Sequence, residues 1–467
     1  MLAEDMDWYT SLISGLIFPL HERLKRHSSL AVRRDMESSQ WWDRDRLEAL
    51  RLRRLHRLLD HAGTHVPYYR NLFKRIGFVP DAIRSISELP GLPMLDKAVI
   101  RQHLDALKSE RAVGLARFNT GGSSGVPLIF HIGSERVSHD VAAKWRATRW
   151  WGVDIGDPEI VVWGSPIELG AQDGLRALRD RLFRTRLLPA FEMSAQKLDR
   201  FLEEIRRVRP RMLFGYPSAL SHIARHAEST GRRMDDLGIR VAFVTSERLY
   251  DEQRRQIGGT FGCPVANGYG GRDAGFIAHE CPEGGMHLTA EDVIVEIVDQ
   301  EGVPLPEGEA GEIVVTHLAT PDFPFIRYRT GDIGVLDSQM CGCGRGLPLL
   351  REIQGRSTDF LVAQDGTVMH GLALIYILRD LPQVQAFKII QESLDLTRVL
   401  VVSESVAAPA LIDAIQQGFR ARLGERVEIA VEQVPEIPAE RSGKFRYVVS
   451  RISSGPGAPS NDAARSQ

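Results

Sequence analysis

The sequence predicts an α/β protein: a large N-terminal domain built on parallel sheets, followed by a small α+β domain at the C-terminal end. Three observations predict it. From about residue 110, short apolar runs between Gly/Pro turns alternate with helical sequence, as strand–helix–strand units of a parallel sheet do. After residue 356 the pattern changes to helix, two strands, helix and an alternating strand, a unit of its own. A chain of 467 residues is also too long for one ordinary hydrophobic core.

Residues 1–80 read as a helical region. WYTSLISGLIFPL (8–20) is its most apolar stretch, short of the roughly 20 residues a membrane span needs, and the basic HERLKRH (21–27) follows. Two placements fit: a helix docked on the protein's own core, or an interfacial helix on a membrane surface. RLEALRLRRLHRLLDHA (46–62) carries apolar residues at helical spacing, and the proline of VPYYR (66–70) breaks that pattern.

The large domain is expected over 81–355. EIVVWGS (159–165), RMLFGYPS (211–218) and IRVAFVTSE (239–247) read as buried strands, with helices such as KLDRFLEEIRRVRP (197–210) and SALSHIARHAEST (218–230) between them. Several of these strands end in Gly, Ser or Thr, where α/β sheets place ligands. Residues 286–352 are richer in strand signals: DVIVEIVD (292–299), GEIVVTHL (311–318) and DIGVLD (332–337). The small domain is expected over 356–452, and the polar, Gly/Pro-rich tail 453–467 is expected to be disordered.

A formal charge of −2 gives no reason to expect a nucleic-acid partner. Four cysteines in so long a chain are no disulfide framework, and the acidic start MLAEDMD does not resemble a signal peptide. A cytoplasmic protein is the expectation, peripheral at the inner membrane face if the first helix is interfacial.

RFNTGGSSGVPLIF (117–130) places Thr120, Gly121, Gly122, Ser123, Ser124 and Gly125 in a row. Glycines admit positive φ and close backbone approach, and hydroxyls add donors, so the segment is either a surface turn or a cradle for an anion. NGYGGRDAG (267–275), RYRTGD (327–332), QGRSTDF (354–360) and ERSGKFR (440–446) are each weak alone. A kinase-type phosphate loop is absent, since the only GK is followed by Phe445, and GYGGRDAG does not fit a dinucleotide fingerprint.

In this order, the five stretches resemble the adenylate-forming (AMP-dependent synthetase/ligase) superfamily over roughly residues 50–450. HAGTHVPYYRNLF, GYPSAL, GFIAHEC and CGCGR are similar to the phenylacetate–CoA ligase group, while TGGSSG and GGRD look like its CapK-like branch. The resemblance implies that a carboxylic acid attacks the α-phosphate of ATP, giving acyl-AMP, which then acylates a thiol, usually coenzyme A. It also admits an acceptor other than CoA in polysaccharide biosynthesis, or an idle nucleotide-binding relative acting as a membrane-associated scaffold. Oligomeric state stays open, a homodimer included.

By the same resemblance, Thr120–Gly125 would hold the β- and γ-phosphates. Tyr269 would lie against the adenine, with Ser246 and Glu247 nearby, and Gly270 would also bind the nucleotide. Asp273, where the family usually has glutamate, would bind Mg²⁺. Arg272 replaces a usual threonine, which implies either an added cation at the phosphates or a different acyl pocket. Asp332 would accept hydrogen bonds from the ribose, Arg356 would contact ribose or phosphate at the domain junction, and Thr358 falls at the hinge. Lys444 would bridge the attacking carboxylate and the α-phosphate as the catalytic residue. The acyl pocket is expected near Tyr216, Ala266, Asn267 and Gly268.

Cys281, His287, Cys341 and Cys343 are spaced C-x5-H and C-x-C. They fit either a tetrahedral structural zinc site or reduced cysteines in a core. Similar cysteines in metal-bearing members of the phenylacetate group lend support to the former, while the spacing matches no standard zinc signature. Cys263, in FGCPVANGYG, reads as buried packing, and His65 and His131 read as structural.

Overall fold

The computed structural model describes residues 7–120, 128–163, 174–190, 192–299, 301–354, 360–403, 409–437 and 448–452. The tail 453–467 lies outside them. The chain opens with a helical rod, α1, in which Trp8–Leu12 and Phe18–Leu24 are α-helical and Ile13–Ile17 is a π-helical turn. Next come α2 (Ser29–Ser39), α3 (Arg44–His65) and α4 (Pro67–Ile76). The proline of VPYYR both ends one helix and starts the next: Pro67 has no N–H to leave unsatisfied at a helix's first position. A short helix, α5 (Lys97–Gln102), capped by Asp96, precedes the hairpin β1 (Ala116–Asn119) and β2 (Ile129–Ile132). Helix α6 (Ser134–Trp150) follows.

The parallel strands are β3 (Glu159–Trp163), β4 (Thr185–Pro189), β6 (Met212–Gly215), β7 (Val241–Thr245) and β8 (Val265–Gly271), while a two-residue strand, β5 (Glu192–Met193), lies outside their sheet. Between them run α7 (Gly174–Leu182), α8 (Ala195–Val208), α9 (Pro217–Ser229) and α10 (Asp251–Phe261). Helix α8 shows why such segments fold as they do: Ser194 caps it, and Leu198, Phe201, Leu202 and Ile205 form its buried stripe.

β9 (Gly275–Glu280), β10 (Met286–Leu288), β11 (Val293–Val298), β12 (Gly311–His317), β13 (Tyr328–Asp337) and β14 (Leu349–Gln354) complete one sheet of order β11-β12-β13-β14-β10-β9-β8-β7-β6-β3-β4. The run β8-β7-β6-β3-β4 is parallel and every other pairing is antiparallel. The sheet is therefore mixed, because strands joined by short turns can only pair antiparallel.

Alternation along β6 and β7 feeds two cores. Leu213, Ala242 and Val244 enter the one beneath α8, α9 and α10, while Met212, Phe214, Val241 and Phe243 enter the other with Ala147 of α6. Helix α2 packs on α6 through Val32, Met36, Ala142 and Ala143. Beside that contact lies a buried ion pair, Arg146 Nη1 to Glu291 Oε1 at 2.6 Å, whose glutamate also accepts from Ser39 Oγ at 2.7 Å.

The small domain has β17 (Val384–Gln391), β18 (Leu396–Ser403), β19 (Glu428–Gln433) and β20 (Val448–Ser450) in the order β19-β18-β17-β20, covered by α11 (Leu372–Arg379) and α12 (Pro409–Leu423). Its hairpin β15 (Phe360–Val362) and β16 (Val368–His370) pairs with β5 of the large domain.

Candidate active site

The carboxyl ends of β6, β7 and β8 lie side by side; the chain leaving β6 and β7 carries Tyr216, Ser246 and Glu247, and Tyr269 lies near the end of β8 itself. Ser246 sits at φ +74°, a conformation uncommon outside glycine and concentrated at functional turns. Glu247 accepts from the backbone N–H of Ser218 at 3.4 Å and from its hydroxyl, which fixes the carboxylate on the first turn of α9.

Two tyrosines then cross-strap strands that are not neighbours in the sheet. Tyr269 of β8 donates its hydroxyl to Asp332 of β13 at 3.0 Å, and Tyr328 of β13 donates to Asp273 after β8 at 2.6 Å. Burial, with Asp332 beside it, holds the Tyr269 phenol well above its ordinary value, so it stays a donor. The remaining oxygen of Asp273 accepts from Ala274 N at 3.1 Å. Asp332 N donates to Thr330 Oγ1 at 3.1 Å, and that hydroxyl donates to the Ile313 carbonyl.

Under the Asp273 turn lies Arg136 of α6, a buried guanidinium. It donates to the carbonyls of Arg272 and Asp273, both at 3.3 Å, and pairs with Asp140 at 2.9 Å. Sequence reasoning passes over Arg136 and Tyr328, since neither belongs to a spacing that names its partner. The glycine at 270 serves the hairpin as much as any ligand: a Cβ there would lie 2.2 Å from the Gly275 carbonyl oxygen. The other two charged residues of RYRTGD brace the fold. Arg327 is buried at φ +51°, paired with Glu296 at 3.0 Å, and Arg329 holds Glu312 at 2.9 Å.

The residues expected around an acyl pocket are divided. Ala266 is fully buried in the core with Phe214 and Phe243, and a Cβ on Gly268 would meet the Phe243 ring at 2.8 Å. Asn267 is half-buried, its N–H donating to Glu280 Oε2 at 2.8 Å. Tyr216 packs with the other core and stacks on Trp163 at 4.3 Å between centroids. Trp163, at the carboxyl end of β3, thus joins the site's aromatic wall without having been expected there.

Thr120 closes the base of its loop: its N–H donates to the Leu128 carbonyl and its hydroxyl accepts from Leu128 N, both at 3.0 Å. Gly121, Gly122, Ser123, Ser124, Gly125, Arg356, Thr358 and Lys444 lie outside the described residues. Arg272 is exposed. Asp273 and Asp332 give this end of the sheet two carboxylates, groups able to hold a hard divalent cation or to accept from hydroxyls.

Cys281, His287, Cys341 and Cys343 converge, with all four candidate ligand atoms within 4.8 Å of one another. Cys281 and Cys341 Sγ are 3.6 Å apart, and Cys343 Sγ is 3.2 Å from His287 Nε2. His287 Nδ1 faces the Leu347 carbonyl at 3.3 Å, the second contact that leaves Nε2 free to ligate. Burial pushes the His287 imidazole down to about 4, keeping it in the neutral, ligating form. A Cβ on Gly285 would meet Cys341 Sγ at 2.6 Å, so only glycine leaves room for that thiol. The donor set suits zinc. Cys263 is buried outside the cluster, its thiol pushed up to about 12 by burial, as packing requires.

Residues 185–319 match the family described as AMP-binding enzyme, and residues 361–451 match the CapK C-terminal domain. The chain is 28% identical over 356 residues to a phenylacetate-coenzyme A ligase of Thermus thermophilus, covering 73% of this chain and 77% of that one. It is 22% identical over 444 residues to protein CapK of Staphylococcus aureus, covering 94% and 96%. Among solved structures, 2-hydroxyisobutyryl-CoA ligase with 2-HIB-AMP and CoA in the thioesterification state shares the fold, with a TM-score of 0.64, 21% identity, and coverage of 88% of this chain and 91% of that one.

Proposed function

The chain is an adenylate-forming protein of the phenylacetate–CoA ligase-like, CapK-like kind, and on that premise we propose that it activates a carboxylic acid with ATP and passes the acyl group to a thiol, coenzyme A. The observation that carries this reading is the reciprocal strap Tyr269–Asp332 and Tyr328–Asp273 at the carboxyl end of the parallel strands. It presents two carboxylates on a rigid frame, which supports a site for a nucleotide and its metal ion.

In this reading the acid attacks the α-phosphorus of ATP, an acyl–oxygen–phosphorus bond forms, and pyrophosphate leaves. Both reactants are anions, so the protein's task is to neutralise charge and align the attack. Asp273 would hold Mg²⁺ against the phosphates, with Arg136 fixing the turn beneath it. Asp332 would accept from the ribose hydroxyls, while Tyr269 flanks the adenine. The hydroxyls and N–H groups of the 120–125 loop would hold the departing pyrophosphate, Arg356 would contact the nucleotide, and Lys444 would bridge the two reacting anions. A CoA thiol then takes the acyl group and AMP departs.

The test is incubation with ATP, Mg²⁺, CoA and a mixed pool of carboxylic acids, read by mass spectrometry. AMP with a new acyl-CoA is the expected result. AMP without any thioester would remove CoA as acceptor, and no AMP with any acid would overturn the proposal.

We also propose that the Cys281/His287/Cys341/Cys343 cluster is a structural zinc site. Its ion would fasten the β9–β10 hairpin to the segment before β14. Purified protein is expected to carry about one zinc per chain by elemental analysis, and Cys281→Ser with Cys343→Ser to lose both metal and thermal stability. Protein grown with ample zinc that holds none would end this assignment.

A further inference from the structure

The proposed chemistry leaves one part of the molecule without a task. Helix α1 is fastened by one face: Thr10 donates to Asp157 at 2.9 Å, Ile13 packs on Gly156, and the Phe18 ring meets Trp145 edge-on at 5.1 Å. Its other face is apolar and open. Trp8 is 74% exposed, Leu12 37%, Leu16 61%, Leu20 56% and Leu24 76%.

These five residues recur every fourth position, and in an uninterrupted α-helix such a row drifts by about 40° per step. Over four steps Leu24 would come round nearly opposite Trp8. The wider π-helical turn at Ile13–Ile17 takes up part of that drift and keeps the row on one side. Helix α7 extends it: Leu178 and Leu182 are 64% and 38% exposed, and the Tyr9 hydroxyl donates to the Leu182 carbonyl at 2.9 Å.

Among the described residues, the charge around this face is cationic. Arg23, Lys25, Arg26 and Arg181 are exposed. The described acidic groups beside them are engaged elsewhere: Glu22 is buried among His21, His27 and Ser29, Asp7 pairs with Arg184 at 2.7 Å, and Asp180 pairs with Arg179. Among the described residues no helix is long and apolar enough to cross a membrane.

We propose that this face docks on an anionic phospholipid bilayer, with α1 lying in the plane of the interface. The Leu row and Trp8 would enter the headgroup–acyl boundary, and the arginine and lysine heads would meet lipid phosphates.

The test is co-flotation of the full chain with vesicles of phosphatidylcholine alone or mixed with phosphatidylglycerol. Binding is expected to the mixed vesicles, weakening as salt is raised, with a blue-shifted emission that Trp8→Phe removes. The double variant Leu16→Ser/Leu20→Ser alters only exposed side chains and is expected to bind at least about tenfold less at an unchanged melting temperature. Arg23→Gln/Lys25→Gln is expected to lose the preference for anionic lipid. Protein that stays in solution with both vesicles overturns the proposal, as does undiminished binding by the leucine variant. A dimer seen by light scattering that the leucine variant abolishes, without vesicle binding, would assign the face to a second copy of the chain instead.

Discussion

Lys444→Ala is expected to lower acyl-AMP formation by about 10²–10³-fold while leaving transfer from a pre-made acyl-AMP to CoA near its original rate. The lysine belongs to the small domain. Val448, four residues on, pairs with Ile389 in the small domain's sheet, so Lys444 is tethered to that domain within about 14 Å of extended chain. A charge carried on a separate body can be brought to the carboxylate and α-phosphate for one step and withdrawn for the next. AMP release measured with acid and ATP reports the first half-reaction, and thioester formation from acyl-AMP the second. Equal loss of both would remove Lys444 from its proposed role.

Glu291→Leu is expected to be the most damaging single change to stability outside the site, at about 3–5 kcal/mol. It leaves the Arg146 guanidinium buried without its carboxylate and takes the acceptor from Ser39. Arg51 lies near the same carboxylate, and burial pushes it down to about 10. Adding Arg146→Met is expected to restore most of the loss, because the penalty is an uncompensated charge rather than a missing attraction. Denaturant unfolding of the two variants checks this; a double variant no more stable than the single one would place the damage in packing instead.

How far the fold was legible follows from the range of the interactions involved. β3, β6 and β7 stand where their apolar runs lie, and α8 and α9 where the periodicity runs, because these patterns are local. Of the two placements weighed for residues 8–20, docking on the protein's own core is what the structure shows for the face bearing Thr10, Ile13 and Phe18, while the interfacial placement is the proposal made above for its outer side. The zinc-type cluster was half legible: C-x5-H and C-x-C are local, but the pairing of His287 with Leu349 that brings them together is not. Nothing local links Tyr269 to Asp332 or Tyr328 to Asp273, at separations of 63 and 55 residues. Arg136 was hidden for the same reason, its task being set by carbonyls 136 and 137 residues away.

The junction of β5 with β16 has a mechanical consequence. Glu192 and Met193 pair with Met369 and Val368 over two register positions, and Met193 and Met369 are both buried where the strands meet. Any rotation of the small domain has to part this short seam. With each main-chain bond worth on the order of 1 kcal/mol net, the seam acts as a detent. It biases the small domain toward this docking and is weak enough to part without unfolding either sheet.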